Sequence, residues 1–219
     1  MQITVFTIVY NNYGRFIPAW IEYLNNQTVV PKILIVLGKD HGADLKYLAD
    51  NGINYIYYDS DNMGKLRNVG LDFITTDWWL YFSVDDELLP HTCEEIINSG
   101  ADAVSLLFDV VNVDGTIEYN CKSPIINIEA DLKNWKQFRW GGYVAVKDKT
   151  IRFNEEVEIP NLLLHFELFK KGLLTVQSKD ICAVCHRWEK SHGLRNVKTG
   201  MNINMADILN AEVKKILCK

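Results

Sequence analysis

Residues Trp78–Pro90 read WWLYFSVDDELLP. Six of the first seven residues are apolar or aromatic, three acids follow without a break, and a proline closes the run. A short continuous apolar run bounded by turn residues is the pattern of a strand buried in a core. Like charges repel, so Asp85, Asp86 and Glu87 at the exit of that strand need a cause.

The flanking sequence supplies a frame for them. ITVFTIVY (Ile3–Tyr10) reads as a buried strand ending in Asn11-Asn12-Tyr13-Gly14, FIPAWIEYL has helical spacing, and KILIVL (Lys32–Leu37) is a second strand. LKYLAD then reads as a helix, INYIYY as a third strand and MGKLRNVGLDFI as a helix, with WWLYFSV as the fourth strand. Strands alternating with helices predict an α/β fold with a mostly parallel central sheet flanked by helices. Ligands of such sheets sit at the carboxyl ends of the strands. The three acids follow the fourth strand, on that edge, and Pro90 begins a helix with Thr92, Glu94 and Glu95 in its first turns. Carboxylates clustered on a rigid strand end suit a hard divalent cation, which removes their repulsion and would itself neutralise a diphosphate. A solvated loop with acids near a helix N-terminus is the alternative reading.

The second half is less regular. ADAVSLLFDVVNVDGTIEYN reads as a strand, an Asp114-Gly115 turn and a return strand. LKNWKQFRWGGYVAVK interleaves cations with Trp135, Phe138, Trp140 and Tyr143, and Gly141-Gly142 allows close backbone approach. NLLLHFELFKKG reads as a helix stopped by Gly172, LLTVQS and DICAVCHRW as two strands, and INMADILNAEVKKIL as an amphipathic terminal helix.

At 219 residues, 48% hydrophobic and 23% charged, the chain is expected to form one domain, residues 1–219, with a full core. A net charge of -5 gives no general coat for nucleic acid. No apolar run approaches the length of a membrane span, and MQITVFTIVY lacks a basic flank and a cleavage site, so a cytoplasmic location is expected. Five cysteines without a secretion signal suggest free thiols.

The order of these motifs resembles the family-2 glycosyltransferases, which have the glycosyltransferase-A fold. VFTIVYNNYGRFIPAWIEYLNNQT is similar to that family's opening strand, turn and helix, and DNMGKLRNVGL to its N-x-G-x-x-x-x-R-N-x-G stretch in compressed form. WWLYFSVDDELLP resembles the strand that ends in Asp-x-Asp, and RFNEEVEIPNLLLHFELFKKG the acidic segment and helix near the acceptor. The resemblance spans roughly residues 3 to 192. It implies a fold of the nucleotide-diphospho-sugar transferase type, a nucleotide-sugar donor, a divalent cation (Mn2+ or Mg2+), and hexosyl or pentosyl transfer to an acceptor hydroxyl with inversion. Asp85 would then contact the metal, and Asp86 would assist or contact the donor. Tyr10 and Asn11 would line the base and ribose pocket, and Arg67 and Asn68 would hold the loop over the nucleotide. Late basic residues of such enzymes imply His186 in the metal shell, Lys190 at the donor diphosphate and Arg187 toward the acceptor, with Trp140, Gly141 and Gly142.

Three departures bear on this. Ser83 replaces the first acid of Asp-x-Asp and can hydrogen-bond a ribose without adding charge. After the second strand, Gly38 and Lys39 stand where two acids often grip a uracil, with Asp40 beyond. The expected catalytic Glu-Asp pair falls on Pro160-Asn161, so the base is assigned to Glu158, with Glu155 and Glu156 behind it.

Other readings stay open. Cys182-x-x-Cys185-His186 matches a haem-attachment pattern, and Cys182, Cys185, His186 and His192 could hold zinc with poor spacing. A nucleotidyltransferase shares the strand-end acids but lacks its Gly-rich loop here, and Ser83 and Asn161 would suit an inactive sugar- or nucleotide-binding module. For the acceptor, a glycan or small molecule ranks ahead of hydroxymethylated pyrimidine in DNA. The DNA reading rests on the aromatic and cationic segments LKNWKQFRWGGYVAVK and HRWEKSHGLRNVK.

Overall fold

ITVFTIV, strand β1 (Ile3–Val9), is buried along its whole length. Seven consecutive buried residues suit a strand covered on both faces, as parallel central strands are. On one side β1 pairs in parallel with β2 (Lys32–Leu37), which pairs in parallel with β3 (Asn54–Tyr57); on the other it pairs in parallel with β4 (Trp78–Tyr81). Helices α1 (Ile17–Asn25), α2 (Leu45–Asp50) and α3 (Met63–Asp72) make the connections. The computed structural model describes residues 1–122, 125–129, 131, 143–156, 161–187, 211 and 213–216.

Beyond β4 the sheet changes character. β8 (Val144–Val146) lies antiparallel between β4 and β6 (Ala103–Val111). β6 pairs in parallel with β9 (Thr175–His186) and antiparallel with β7 (Ile117–Lys122). The two-residue β5 (Glu87–Leu88) is antiparallel to β9 and leads into α4 (Thr92–Asn98). The order is β3-β2-β1-β4-β8-β6-β9-β5, with β7 beside β6. The parallel half is the one whose helix-and-strand pattern is regular; the mixed half is not.

The β6–β7 hairpin turns at Asp114-Gly115, where Gly115 takes φ 82° and Asp114 accepts from the backbone and hydroxyl of Thr116. Helix α5 (Asn161–Lys170) ends at Gly172, with φ 67°. LLTVQS and DICAVCH form one strand, β9, rather than two, with register shifts absorbing the polar Ser178–Asp180 stretch. WWLYFSV is a strand only to Tyr81, although Phe82 N–H still donates to Phe6 O at 2.9 Å. All of LKNWKQFRWGG and most of the terminal helical segment lie outside the described residues. Among the described residues no helix is long and apolar enough to cross a membrane.

Candidate active site

Three loops at the carboxyl ends of β1, β2 and β3 lock together. Gly38 N–H donates to Val9 O at 2.8 Å, Lys39 N–H to Ser60 O at 2.8 Å and Asn12 N–H to Asp40 O at 2.7 Å. The loops touch so closely that a Cβ on Gly38 would lie 2.6 Å from Ser60 O, and one on Gly14 2.4 Å from the backbone of Gly42 and Ala43. Asn11, Asn12 and Asp40 are left-handed, a conformation that Asn and Asp tolerate better than other side chains. Tyr10 is buried at the base of this cleft edge, with Asn11 and Asp40 exposed above it.

The strand-end acids lie next along the edge, and they divide into two kinds. Asp86 is 7% exposed, with both carboxylate oxygens occupied. Oδ2 accepts from the Tyr143 hydroxyl, and Oδ1 accepts from the His186 backbone N–H at 2.7 Å. Burial, and then the charge of Asp85, push its carboxyl up to about 8; the hydrogen bonds from Tyr143, His186 and Cys185 act against that rise. Burial likewise pushes the Tyr143 hydroxyl and the Cys185 thiol well above their ordinary ranges, with Asp86 as the next cause of each. Asp86 therefore tethers β9 and β8 to the strand end.

Asp85 is half-buried, and its Oδ1 accepts from Ser83 Oγ at 2.7 Å. The departure from Asp-x-Asp thus gives a hydroxyl that orients the remaining acid. β5 and β9 pair Glu87 with Val184 and Leu88 with Ala183, and the turn at residues 84–86 that precedes β5 is tied to the end of β9 by the bond from His186 N–H to Asp86. A half-buried carboxylate oriented by a hydroxyl, with His186 at the end of the neighbouring strand β9, offers donor types that suit Mn2+ or Mg2+ completed by phosphate oxygens and water.

Arg67 and Asn68, on α3, serve different neighbours. Arg67 is 4% exposed and its guanidinium stacks 3.9 Å from the centroid of Tyr81 and 5.1 Å from that of Phe153. Asn68 binds the 153–155 segment: Nδ2 donates to Phe153 O at 3.0 Å and to Glu155 Oε1 at 2.8 Å, and Oδ1 accepts from Phe153 N–H at 2.8 Å. Asn62, which caps α3, also donates to Glu155 O at 2.8 Å, and a Cβ on Gly64 would strike Asn154 O at 2.3 Å. The N-x-G and R-N elements of DNMGKLRNVGL thus hold the backbone that leads toward residues 157–160.

Arg187 bonds Asn112 Oδ1 at 3.0 Å and lies 3.6 Å from Glu118, on the β6–β7 hairpin. Glu158, Trp140, Gly141, Gly142, Lys190 and His192 lie outside the described residues. The described residues bring Cys182 to His91 and Glu95, while Cys185 bonds Asp86. Tyr143 and Cys185 have no signal in the sequence that marks them as partners of Asp86, because the antiparallel insertion of β8 beside β4 follows no local pattern.

Comparison with known proteins places this geometry. No protein-family model matches the chain. EpsH of Bacillus subtilis (strain 168), named as a glycosyltransferase, is 26% identical over 112 residues, which is 48% of this chain and 32% of EpsH. Among solved structures, S. aureus TarS (residues 1–349) in complex with UDP-GlcNAc has a TM-score of 0.64 at 18% identity, covering 88% of this chain and 60% of that one. A mannosyltransferase from Pyrobaculum calidifontis in complex with GDP-Man and Mn2+ has a TM-score of 0.59 at 13% identity, covering 90% of this chain and 59% of that one. The chain spans about a third of EpsH and about three fifths of these structures. It has the fold of these two solved structures, an α/β fold with a mixed sheet flanked by helices.

Proposed function

We propose that the chain is a glycosyltransferase that moves a sugar from a nucleotide-sugar donor to an acceptor hydroxyl. The observation that carries this reading is the strand end itself: Ser83 aims Asp85, while Asp86 ties the His186 backbone beside it at 2.7 Å. The locked loops after β1, β2 and β3 form the nucleotide pocket, with Tyr10 at its base and Asn11 and Asp40 at its rim. Asp85 and the His186 imidazole hold Mn2+ or Mg2+, which supplies positive charge for the departing diphosphate. Asp86 is a positioning residue in this reading, since both its oxygens are committed to the fold. Arg67 and Asn68 support the site from beneath.

The reading carries the transfer through with inversion. A carboxylate takes the proton of the acceptor hydroxyl as that oxygen attacks the anomeric carbon on the face opposite the leaving group. Glu158 is the base we assign from the sequence, and Lys190 a diphosphate contact on the same ground. Trp140, Gly141, Gly142 and Arg187 form the acceptor side. The acceptor in this reading is a glycan or small molecule, and hydroxymethylated pyrimidine DNA is the alternative.

The test follows release of nucleoside diphosphate from UDP- and GDP-sugars with and without Mn2+. Asp85→Ala is expected to fold normally and to lose about 100-fold or more in turnover, the scale of removing one electrostatic stabiliser of a leaving charge. Full turnover in that variant with unchanged Mn2+ dependence would overturn the assignment, and release of pyrophosphate in place of nucleoside diphosphate would replace the reaction class. Glu158→Gln is expected to keep donor binding and lose acceptor transfer, because the amide preserves shape and removes only the proton acceptor. Hydroxymethylcytosine DNA offered as acceptor, with nucleoside mass analysis, separates the two acceptor classes.

A further inference from the structure

Three side chains of different chemistry converge where the start of α4 meets β9, in a cluster the transfer reaction does not use. His91, Glu95 and Cys182 each direct a ligand-type atom into a space where all of these atoms lie within 4.8 Å of one another. Their spacing has a local origin. His91 and Glu95 are four residues apart, one helical turn, so they stack on one face at the start of α4. Cys182 comes from β9, fully buried, and its Sγ donates to Glu95 Oε2 at 3.5 Å.

The cluster is held from its backbone side. Cys182 O accepts from Leu89 N–H at 2.9 Å and from Thr92 Oγ1 at 2.7 Å, so strand and helix start are fixed to each other before any ligand arrives. Glu95 Oε1 accepts from Lys179 N–H, which anchors that carboxylate in turn. One group in this well-bonded setting is left over. His91 Nε2 is buried and has no hydrogen-bond partner among the described residues. Leaving a buried polar atom unpaired costs about 1–3 kcal/mol, and native structures rarely accept it without an ion or water to explain it.

We propose that His91, Glu95 and Cys182 form a zinc site, with three protein ligands and a water molecule in the fourth position. Imidazole nitrogen, carboxylate oxygen and thiolate sulfur are the ligands of a borderline-soft ion, and a thiolate disfavours Mg2+ and Mn2+. Tetrahedral zinc needs neighbouring ligand atoms about 3.3–3.6 Å apart, which small side-chain rotations reach from the observed separation. Binding replaces the Cys182 S–H by a sulfur–metal bond and releases that proton to solvent. The ion clips the helix that follows the strand-end acids to the strand that carries His186. It is distinct from the Asp85–His186 site in place and in ligand chemistry.

The experiment loads Co2+ into the metal-free full chain and records its absorption. The expected result is a stoichiometric near-ultraviolet thiolate-to-cobalt band with tetrahedral visible bands, both displaced by Zn2+. Cys182→Ser removes the thiolate band; Asp85→Ala leaves it unchanged. His91→Gln and Glu95→Gln weaken Co2+ retention by at least about tenfold, since losing even an outer partner of a ligand costs that much. A folded wild-type chain with no thiolate band overturns the proposal, as does a band that survives Cys182→Ser or that Asp85→Ala abolishes. Where Cys182→Ser fails to fold by circular dichroism, the half-buried His91 carries the test, and wild-type Co2+ affinity in His91→Gln overturns it.

Discussion

Replacing Asn68 by alanine tests whether the R-N element of α3 is a clamp on the 153–155 segment. The side chain makes two bonds to the Phe153 backbone, at 3.0 and 2.8 Å, and one to the Glu155 carboxylate at 2.8 Å. The Glu155 bond is exposed and is credited with almost nothing. Each backbone bond is worth about 1 kcal/mol net, and more where the abandoned N–H or C=O stays buried, as beside the 3%-exposed Phe153 it would. The expected loss is therefore about 2–4 kcal/mol, or roughly 4–16 °C in Tm for a domain of this size. Urea denaturation followed by far-ultraviolet circular dichroism should show a lower midpoint with an unchanged slope. Asn68→Asp divides the effect: it keeps the acceptor for Phe153 N–H, loses the donor, and sets a second carboxylate against Glu155, so its deficit should shrink as pH falls. A midpoint within about 0.5 kcal/mol of the parent chain for Asn68→Ala, the range of a neutral surface change, would refute the clamp. If Asn68 is such a clamp and the proposed function holds, the same variant raises the acceptor KM more than the donor KM.

Two further predictions concern protons. In metal-free protein the Asp86 carboxyl sits at about 8, above its unfolded value, so the fold holds a proton that the unfolded chain has released. Its contribution to stability should therefore be fully present below about pH 4 and be lost as pH rises through 8, and Asp86→Asn should remove that decline in urea midpoints measured between pH 5 and 8. His165 behaves oppositely: burial pushes it down to about 4, so it is neutral in the fold while the unfolded chain protonates near its usual 6.5. Its contribution is present above pH 6.5 and lost as pH falls through 4, amounting to roughly 3 kcal/mol, and His165→Leu should flatten that acid limb in thermal scans from pH 7 to 4.

The legible part of the molecule is the part built from local rules. ITVFTIV and KILIVL announce buried parallel strands, the Asp114-Gly115 turn announces its hairpin, and Gly172 ends its helix with the positive φ that only such a residue takes cheaply. The Asp85–Asp86 pair is readable as a strand-end feature for the same reason. Other features depend on pairings between distant segments. β8, three residues long, is wedged between β4 and β6, and only that placement brings Tyr143 to Asp86. Ser178 and Asp180 look like a break between two strands, yet Ser178 Oγ bonds Leu107 N–H at 2.8 Å and carries the ladder through as one β9. Arg67 has the sequence of a surface helix cation; its burial depends on Tyr81 and Phe153 arriving from two other elements. His91 and Cys182 are 91 residues apart, and no spacing rule connects them.

The burial pattern also explains why three acids can follow WWLYFSV without tearing the strand end apart. Burial alternates along the run, through the turn at 84–86 and into β5: Asp86 and Leu88 are buried while Asp85 and Glu87 are half-exposed. The inward acid escapes repulsion by keeping its proton, and the hydroxyl of Tyr143 and the N–H of His186 satisfy its oxygens. Glu87 lies close enough to Tyr23 of α1 to raise the hydroxyl of that residue, after burial, and so is set toward a helix. Asp85 remains, oriented by Ser83 at 2.7 Å. The run of charge therefore resolves into one tether, one helix-facing acid and one half-exposed acid, the residue to which the proposed function gives the metal. Position rather than residue type makes that division: the same side chain is a buried tether at 86, bonded by Tyr143 and the His186 N–H, and a half-exposed acid at 85, bonded by Ser83.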